Sequence, residues 1–253
     1  MPSFYADFAP YYESIFPFSE TVYAFLRRYL MLGRPRCLDV GCGPGHYCGR
    51  LAGDGFSATG IDLDAAMIEQ ARLHYPQATF HCMDMRDVAQ LGAVTTGEGA
   101  MLYDAIFCIG NTAAHLTRSQ FAAFVSAMRQ LLCSDGLWIL QIMNWDYVLT
   151  QPEVNFPVIQ TNAGAVFHRR YTAISEAEVA FQTRLEVRGR RVFEEALPLY
   201  PLRSNACTDL HAQYGFKCEE HFGSYRGDPF DPGVFSPDLY VFKQASRKKA
   251  DSV

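Results

Sequence analysis

The sequence predicts an α/β fold: a mostly parallel sheet with helices on both faces, interrupted late in the chain by an antiparallel β insert. Three observations predict it. Short apolar runs alternate with helical periodicity between residues 36 and 143. The first run, Arg36-Cys37-Leu38-Asp39-Val40, empties into a glycine cluster, as a buried parallel strand does when it meets a ligand-binding turn. Beyond residue 151 the period changes to two, and the α/β pattern returns near residue 204.

The elements follow in order. Residues 1–18 hold Phe4, Tyr5, Phe8, Tyr11, Tyr12, Phe16 and Phe18, interrupted by Pro10 and Pro17. Ser19 is placed to cap a helix over 20–32, with Val22, Phe25, Leu26, Tyr29 and Leu30 on one face and Gly33 as its stop. After the first strand comes a helix over 46–53, then a strand over 57–62. Asp64 caps a helix reaching His74, Pro76 ends it, and Thr79–Cys82 is a third strand. Residues 92–100 are a Gly-rich loop, followed by a strand over 103–109, a helix over 118–132 and a strand over 137–143. Three antiparallel strands are expected over 165–174, 178–188 and 191–199, turning at Arg188-Gly189. A helix over 204–214 and strands near 216–225 and 236–244 complete the pattern.

A chain of 253 residues with 49% hydrophobic and 19% charged residues has room for a substantial core, and one domain is expected. The net charge of −5, with clustered bases only in the tail Arg247, Lys248 and Lys249, does not point to nucleic acid. The eight cysteines (37, 42, 48, 82, 108, 133, 207 and 218) show no C-x-x-C spacing, so no metal site is expected, and those in apolar runs read as small hydrophobes. No secretory signal opens the chain, and no apolar run approaches the ~20 residues of a membrane span. With reduced cysteines, a cytoplasmic location away from membranes is expected.

The strongest signal is Asp39-Val40-Gly41-Cys42-Gly43-Pro44-Gly45, a D-x-G-x-G-x-G turn between strand and helix. Glycine lets the backbone turn sharply and approach a ligand, and the helix start offers unpaired N–H groups. A dinucleotide fingerprint would be G-x-G-x-x-G, but its third glycine position holds His46. Asp39 would repel a phosphate and suits a cationic ligand. Asp62 ends the second strand, where a carboxylate can accept ribose hydroxyls. Leu63 and Met67, just beyond it, are taken into the same site. Asp84 and Met85 follow the third strand and could meet an adenine ring; alternatively Asp84 only starts a short helix.

Together these residues resemble the class I S-adenosylmethionine-dependent methyltransferases across residues 35–145. The loop Ile109-Gly110-Asn111-Thr112-Ala113-Ala114-His115-Leu116, the segment Asn144-Trp145-Asp146-Tyr147 and the late Leu199-Tyr200-Pro201 resemble the glycine N-methyltransferase subgroup. So does Gly223-Ser224-Tyr225 followed by Pro229-Phe230. The resemblance implies a Rossmann-like seven-stranded, mostly parallel sheet, in a single methyltransferase domain with core 19–151 and 204–246 and an inserted antiparallel β lid at 152–203. It implies S-adenosyl-L-methionine as cofactor, bound by Asp39, Gly41, Gly43, Gly45, Asp62, Leu63, Met67, Asp84, Met85, Ile109, Gly110 and Asn111. Tyr5 and Tyr12 would fold over the methyl-donor pocket, and Tyr200 would come from the lid.

The expected activity is methyl transfer to a small-molecule N or O acceptor; no partner is implied beyond a homo-oligomer. His115 is the candidate base, with Tyr12 beside it; the other reading of His115 is a loop histidine bonded to backbone or cofactor. A non-catalytic S-adenosylmethionine-binding module stands as the alternative, and behind it an NAD-dependent oxidoreductase, opposed by His46. One departure stands out. The subgroup holds its substrate carboxylate with an Arg directly before the Asn-Trp-Asp segment, and here that residue is Met143. A thioether offers no charged fork, so glycine is a poor acceptor unless Arg169 or Arg170 substitutes; in an extended strand only one of the two can face inward.

Overall fold

The computed structural model describes residues 4–31, 33, 35–91 and 102–244, with side chains from Phe8 onward. The Gly-rich loop 92–100, the basic tail Arg247–Lys249 and the side chain of Tyr5 lie outside the described residues.

Five strands, β1 (Arg36–Val40), β2 (Ser57–Asp62), β3 (Thr79–Cys82), β4 (Tyr103–Cys108) and β5 (Leu132–Met143), run parallel. Two late strands, β11 (Phe216–Phe222) and β12 (Pro237–Gln244), join them, and β12 lies antiparallel to both β5 and β11. The order is β11-β12-β5-β4-β1-β2-β3. The chain therefore starts mid-sheet and reverses direction between β1 and β4, and ligands of open α/β sheets bind at such a reversal, beyond the carboxyl ends of the strands.

Alternation along each strand divides the core between two faces. On one face Trp138, Leu140 and Ile142 of β5 pack with Phe121, Phe124 and Val125 of α5 (Arg118–Leu131). On the other, Leu137 and Ile139 pack with Phe25 and Leu26 of α2 (Glu20–Leu30) and Leu51 of α3 (His46–Gly53). Helix starts follow the local chemistry. Ser19 accepts from the Val22 N–H, and Asp64 accepts from the Ala66 and Met67 N–H groups to open α4 (Ala65–His74). Thr117 and Gln120 form a reciprocal capping box on α5. Strand β5 is longer than the expected 137–143: it begins at Leu132 directly after α5, and its register with β4 shifts between Leu132 and Leu137.

A second sheet holds β6 (Val154–Asn155), β7 (Ile159–Gln160), β8 (Ala165–Thr172), β9 (Val179–Val187) and β10 (Arg190–Leu199), in the order β10-β9-β8-β6 with β7 also on β8. Its hairpin turns at Arg188 and Gly189, both at positive φ, as a two-residue turn between twisted strands requires.

The largest difference from expectation lies at the start. Residues Phe4–Ile15 form helix α1 with Pro10 inside it, although a mid-helix proline removes a donor and clashes with the preceding turn. Packing outweighs that cost. Phe8, Ala9 and Ile15 are buried against Phe167, Leu185 and Phe193 of the second sheet, with the Phe8 and Phe167 rings 5.1 Å apart. Helix α1 also meets Met67 of α4, so it bridges the two sheets. Among the described residues no helix is long and apolar enough to cross a membrane.

Candidate active site

A cavity of about 870 Å³ opens beyond the carboxyl ends of β1 to β4, beneath α1 and the second sheet. It falls within the range of roughly 300–1,000 Å³ that small-molecule pockets occupy.

At its floor lies Asp39, 1% exposed, with Oδ1 meeting no hydrogen-bond partner. Burial first, and Asp62 second, push its carboxyl well above the usual range. Such a group calls for a cation. The turn above it needs glycine for two reasons. Gly41 has φ +80°, and a Cβ there would sit 2.6 Å from Thr112 Cγ2, so the turn is pressed against the loop after β4. Gly45 has φ +83°, and its Cβ would strike Phe80 at 2.7 Å and Ala71 at 2.9 Å. Gly41 and Gly43 line the cavity; Gly45 does not, and its place is to seat the start of α3 on the sheet.

Asp62 Oδ2 accepts the Gly43 N–H at 2.9 Å and Oδ1 accepts the Asp64 N–H at 2.9 Å. Each oxygen keeps a further lone pair toward the cavity. Burial raises this carboxyl, and the backbone N–H groups of Asp64, Gly43 and Leu63 oppose that. Leu63 is exposed at the cavity edge, whereas Met67 is buried and lines it. Asp84 caps the single turn Met85–Gln90 through the Arg86 N–H and pairs with the Arg86 guanidinium, which holds its carboxyl below the usual range. Asp84 thus starts the turn and, with Met85, also lines the cavity.

The loop after β4 is held in a fixed shape. The Gly110 N–H donates to Gln141 Oε1 at 2.7 Å. Asn111, at φ +64°, accepts the Met143 N–H at 2.9 Å and donates to the Tyr171 hydroxyl at 3.3 Å. Both ends of its amide are therefore engaged by the protein, tying β5 to the second sheet. His115 bonds the backbone of Pro198 in β10; proline offers only a carbonyl, so the imidazole donates there. Burial lowers its pKa below the ordinary 6.5. Tyr12 closes the side of the cavity, with its ring 3.6 Å from where a Cβ on Gly43 would lie.

Residues 37–136 match the family described as methyltransferase domain. Over those residues the chain is similar to a methyltransferase domain. It is 29% identical over 147 residues to a putative methyltransferase of Geobacillus sp. (strain WCH70), covering 54% of this chain and 57% of that one. It is 29% identical over 137 residues to glycine N-methyltransferase of Homo sapiens, covering 47% and 44%. The chain thus spans about half the length of the curated relatives it matches. An S-adenosylmethionine-dependent methyltransferase from Clostridium acetobutylicum superposes with TM-score 0.76 at 14% identity, over 96% of this chain and 100% of that one, and so shares the fold.

The roof of the cavity comes from residues that the sequence did not single out. Phe156, Tyr171 and Phe181 form an aromatic wall, with Phe156 and Tyr171 4.9 Å apart edge to face and Tyr171 and Phe181 5.5 Å apart. Tyr200 does not line the cavity; it contributes its N–H to the Ala114 carbonyl. Gln141 had a legible signal, a lone amide in the apolar run Leu137–Met143. The wall had none, because aromatic spacing in separate strands does not say which rings meet. Of the two lid arginines, Arg169 lines the cavity and Arg170 bonds Gln182 at the surface, so Met143 does not leave the cavity without a cation. Among the described residues no cluster of three His, Cys, Asp or Glu could hold a metal.

Proposed function

We propose that this chain transfers a methyl group from S-adenosyl-L-methionine to an N or O atom of a small-molecule acceptor. The observation that carries the reading is one continuous cavity with two unlike ends. One end is the glycine turn above a buried Asp39 whose Oδ1 has no partner; the other is an aromatic chamber under the second sheet. A cofactor and an acceptor can therefore meet away from water.

The residues present fit this cofactor. Asp39 offers its unpartnered oxygen to the ammonium end, and Asp62 offers two oxygens to the ribose hydroxyls. Asp84 and Met85, which line the cavity, would hold the adenine, and Ile109, Gly110 and Asn111 would shape the side nearest the methyl group. When bound, S-adenosylmethionine supplies a methyl carbon already activated by its sulfonium, so no protein nucleophile is needed. The protein's task is alignment, exclusion of water and proton removal. His115 suits the last: one ring nitrogen donates to Pro198, which leaves the other with its lone pair, and the lowered pKa keeps it neutral. Tyr12 and α1 close the cavity, and the strands of 152–203 select the acceptor. The chamber's volume favours turnover over simple sequestration of the cofactor.

Substituting Asp62→Ala removes an acceptor serving both the Gly43 N–H and the ribose. Hydrogen bonds to charged groups are worth about 1.5–3 kcal/mol, so S-adenosylhomocysteine should bind at least about tenfold more weakly. Calorimetry on both proteins checks this, and equal affinities would remove Asp62 from the site. Incubation with labelled S-adenosylmethionine and a metabolite extract tests turnover; binding without label transfer would leave a sensor.

A further inference from the structure

We propose that Arg169 is the recognition site for a carboxylate carried by the methyl acceptor, and that the acceptor also carries an apolar, ring-sized body. This deepens the reading above and rests on it.

Arg169 occupies a position that a surface arginine would not take. It projects from β8 into the cavity, while its neighbour Arg170 points outward and bonds Gln182 Oε1. Its guanidinium lies over three rings: Phe156 at 4.9 Å, Phe16 at 5.3 Å and Phe167 at 5.8 Å. The Nε atom is buried without a hydrogen-bond partner. Among the described residues no carboxylate lies within ion-pair distance of it. The other arginine lining the cavity, Arg86, is already neutralised by Asp84.

A guanidinium does not shed its proton in a protein, so burying one without a counter-charge is costly. The three rings compensate in part through their π faces, but a ring supplies no acceptor for five N–H donors. What remains is a planar fork facing a chamber. A carboxylate matches that fork with two parallel hydrogen bonds. The cavity's own carboxylates do not compete for it. Asp84 is held by Arg86, Asp62 by two backbone N–H groups, and Asp39 lies buried under the glycine turn. The aromatic wall of Phe156, Tyr171 and Phe181 beside it asks for apolar surface to cover. Glycine would satisfy the charge and leave the wall uncovered.

The test uses the full chain and two probes that differ by one carboxylate group, 4-(aminomethyl)benzoate and benzylamine, with and without saturating S-adenosylhomocysteine. Calorimetry is run on wild type, Arg169→Met and Arg169→Lys. Wild type should bind 4-(aminomethyl)benzoate at least about tenfold more tightly than benzylamine, and Arg169→Met should lose that preference while holding S-adenosylhomocysteine as well as wild type does. Arg169→Lys should keep part of it, since an ammonium retains charge without the planar fork. Unchanged cofactor-product affinity also shows that the variants fold. A wild type without the carboxylate preference overturns the proposal, as does a preference that survives in Arg169→Met. Loss of S-adenosylhomocysteine binding in Arg169→Met overturns it too, by assigning the anion to the cofactor's own carboxylate. Failure of wild type to bind S-adenosylhomocysteine at all would instead strike the methyltransferase reading, because the probe comparison without it stands independently.

Discussion

His115 and Asp39 illustrate how position alone alters a side chain's chemistry. The His115 imidazole is held by the Pro198 carbonyl and desolvated, and desolvation lowers its pKa. A lowered pKa means the neutral, proton-accepting form persists as pH falls through the ordinary range near 6.5. If His115 removes the acceptor's proton, kcat/KM should stay flat down to about pH 6.5 and fall only below it, with the acid limb reporting this group. In His115→Gln that limb should vanish along with most of the rate, about 10²–10⁴-fold for a general base. A limb that persists unchanged would return His115 to a structural role. At this scale one end of the cavity was legible in the sequence. Asp39, Gly41, Gly43, Asp62 and Asp84 all stand at strand ends, where the chain itself dictates that they converge. Arg169 was legible only as one of a pair, because alternation says that one arginine faces in without saying which.

Helix α1 belongs to the scale of elements, because its existence depends on what it touches. Its sequence carries an internal proline, and isolated helices of about 12 residues are marginal even with good formers. Phe8 supplies the docking: its ring meets Phe167 at 5.1 Å, Phe193 at 5.7 Å and Tyr12 at 5.4 Å. Truncating a buried Phe to Ala costs about 3–5 kcal/mol. Phe8→Ala should therefore undock α1 and raise its amide exchange about a hundredfold or more, while β1, β4 and β5 exchange as in wild type. Hydrogen exchange read by element checks this; uniform acceleration would mean that α1 and the main sheet open together. The same undocking should weaken closure of the cavity, since Phe8 and Tyr12 both line it.

For the whole molecule, the buried His211 couples the last helix to the main sheet and makes stability depend on pH. It lies in α6 (Ser204–Gln213), stacked on Phe242 of β12 at 3.8 Å. Its Nε2 accepts the Trp138 indole N–H at 3.0 Å, so the ring proton is on Nδ1, which donates to the Cys207 carbonyl at 2.7 Å. Protonating Nε2 would set two donors against each other, and burial pushes the pKa from 6.5 down to about 4. A depressed folded-state pKa contributes stability that is present above the unfolded value and lost as pH falls through the folded one. One pKa unit is worth about 1.36 kcal/mol, so about 3 kcal/mol should disappear between pH 6.5 and pH 4. Urea unfolding of wild type and His211→Phe across that interval isolates the contribution, because the variant is less stable at neutral pH yet lacks this slope. Parallel curves would contradict it.

The sequence by itself determined the alternation of strands and helices, the caps at Ser19 and Asp64, the hairpin at Arg188-Gly189 and the acidic glycine turn. These are local: each follows from a period, a side chain reaching its own backbone, or a φ that glycine tolerates. Only the tertiary structure decided that the proline-bearing N-terminus is helical, that Tyr171 rather than Tyr200 faces the cavity, and that Arg169 brings its charge to the chamber Met143 leaves neutral. Those outcomes rest on contacts between residues far apart in the chain, where burial against a distant partner outweighs local preference.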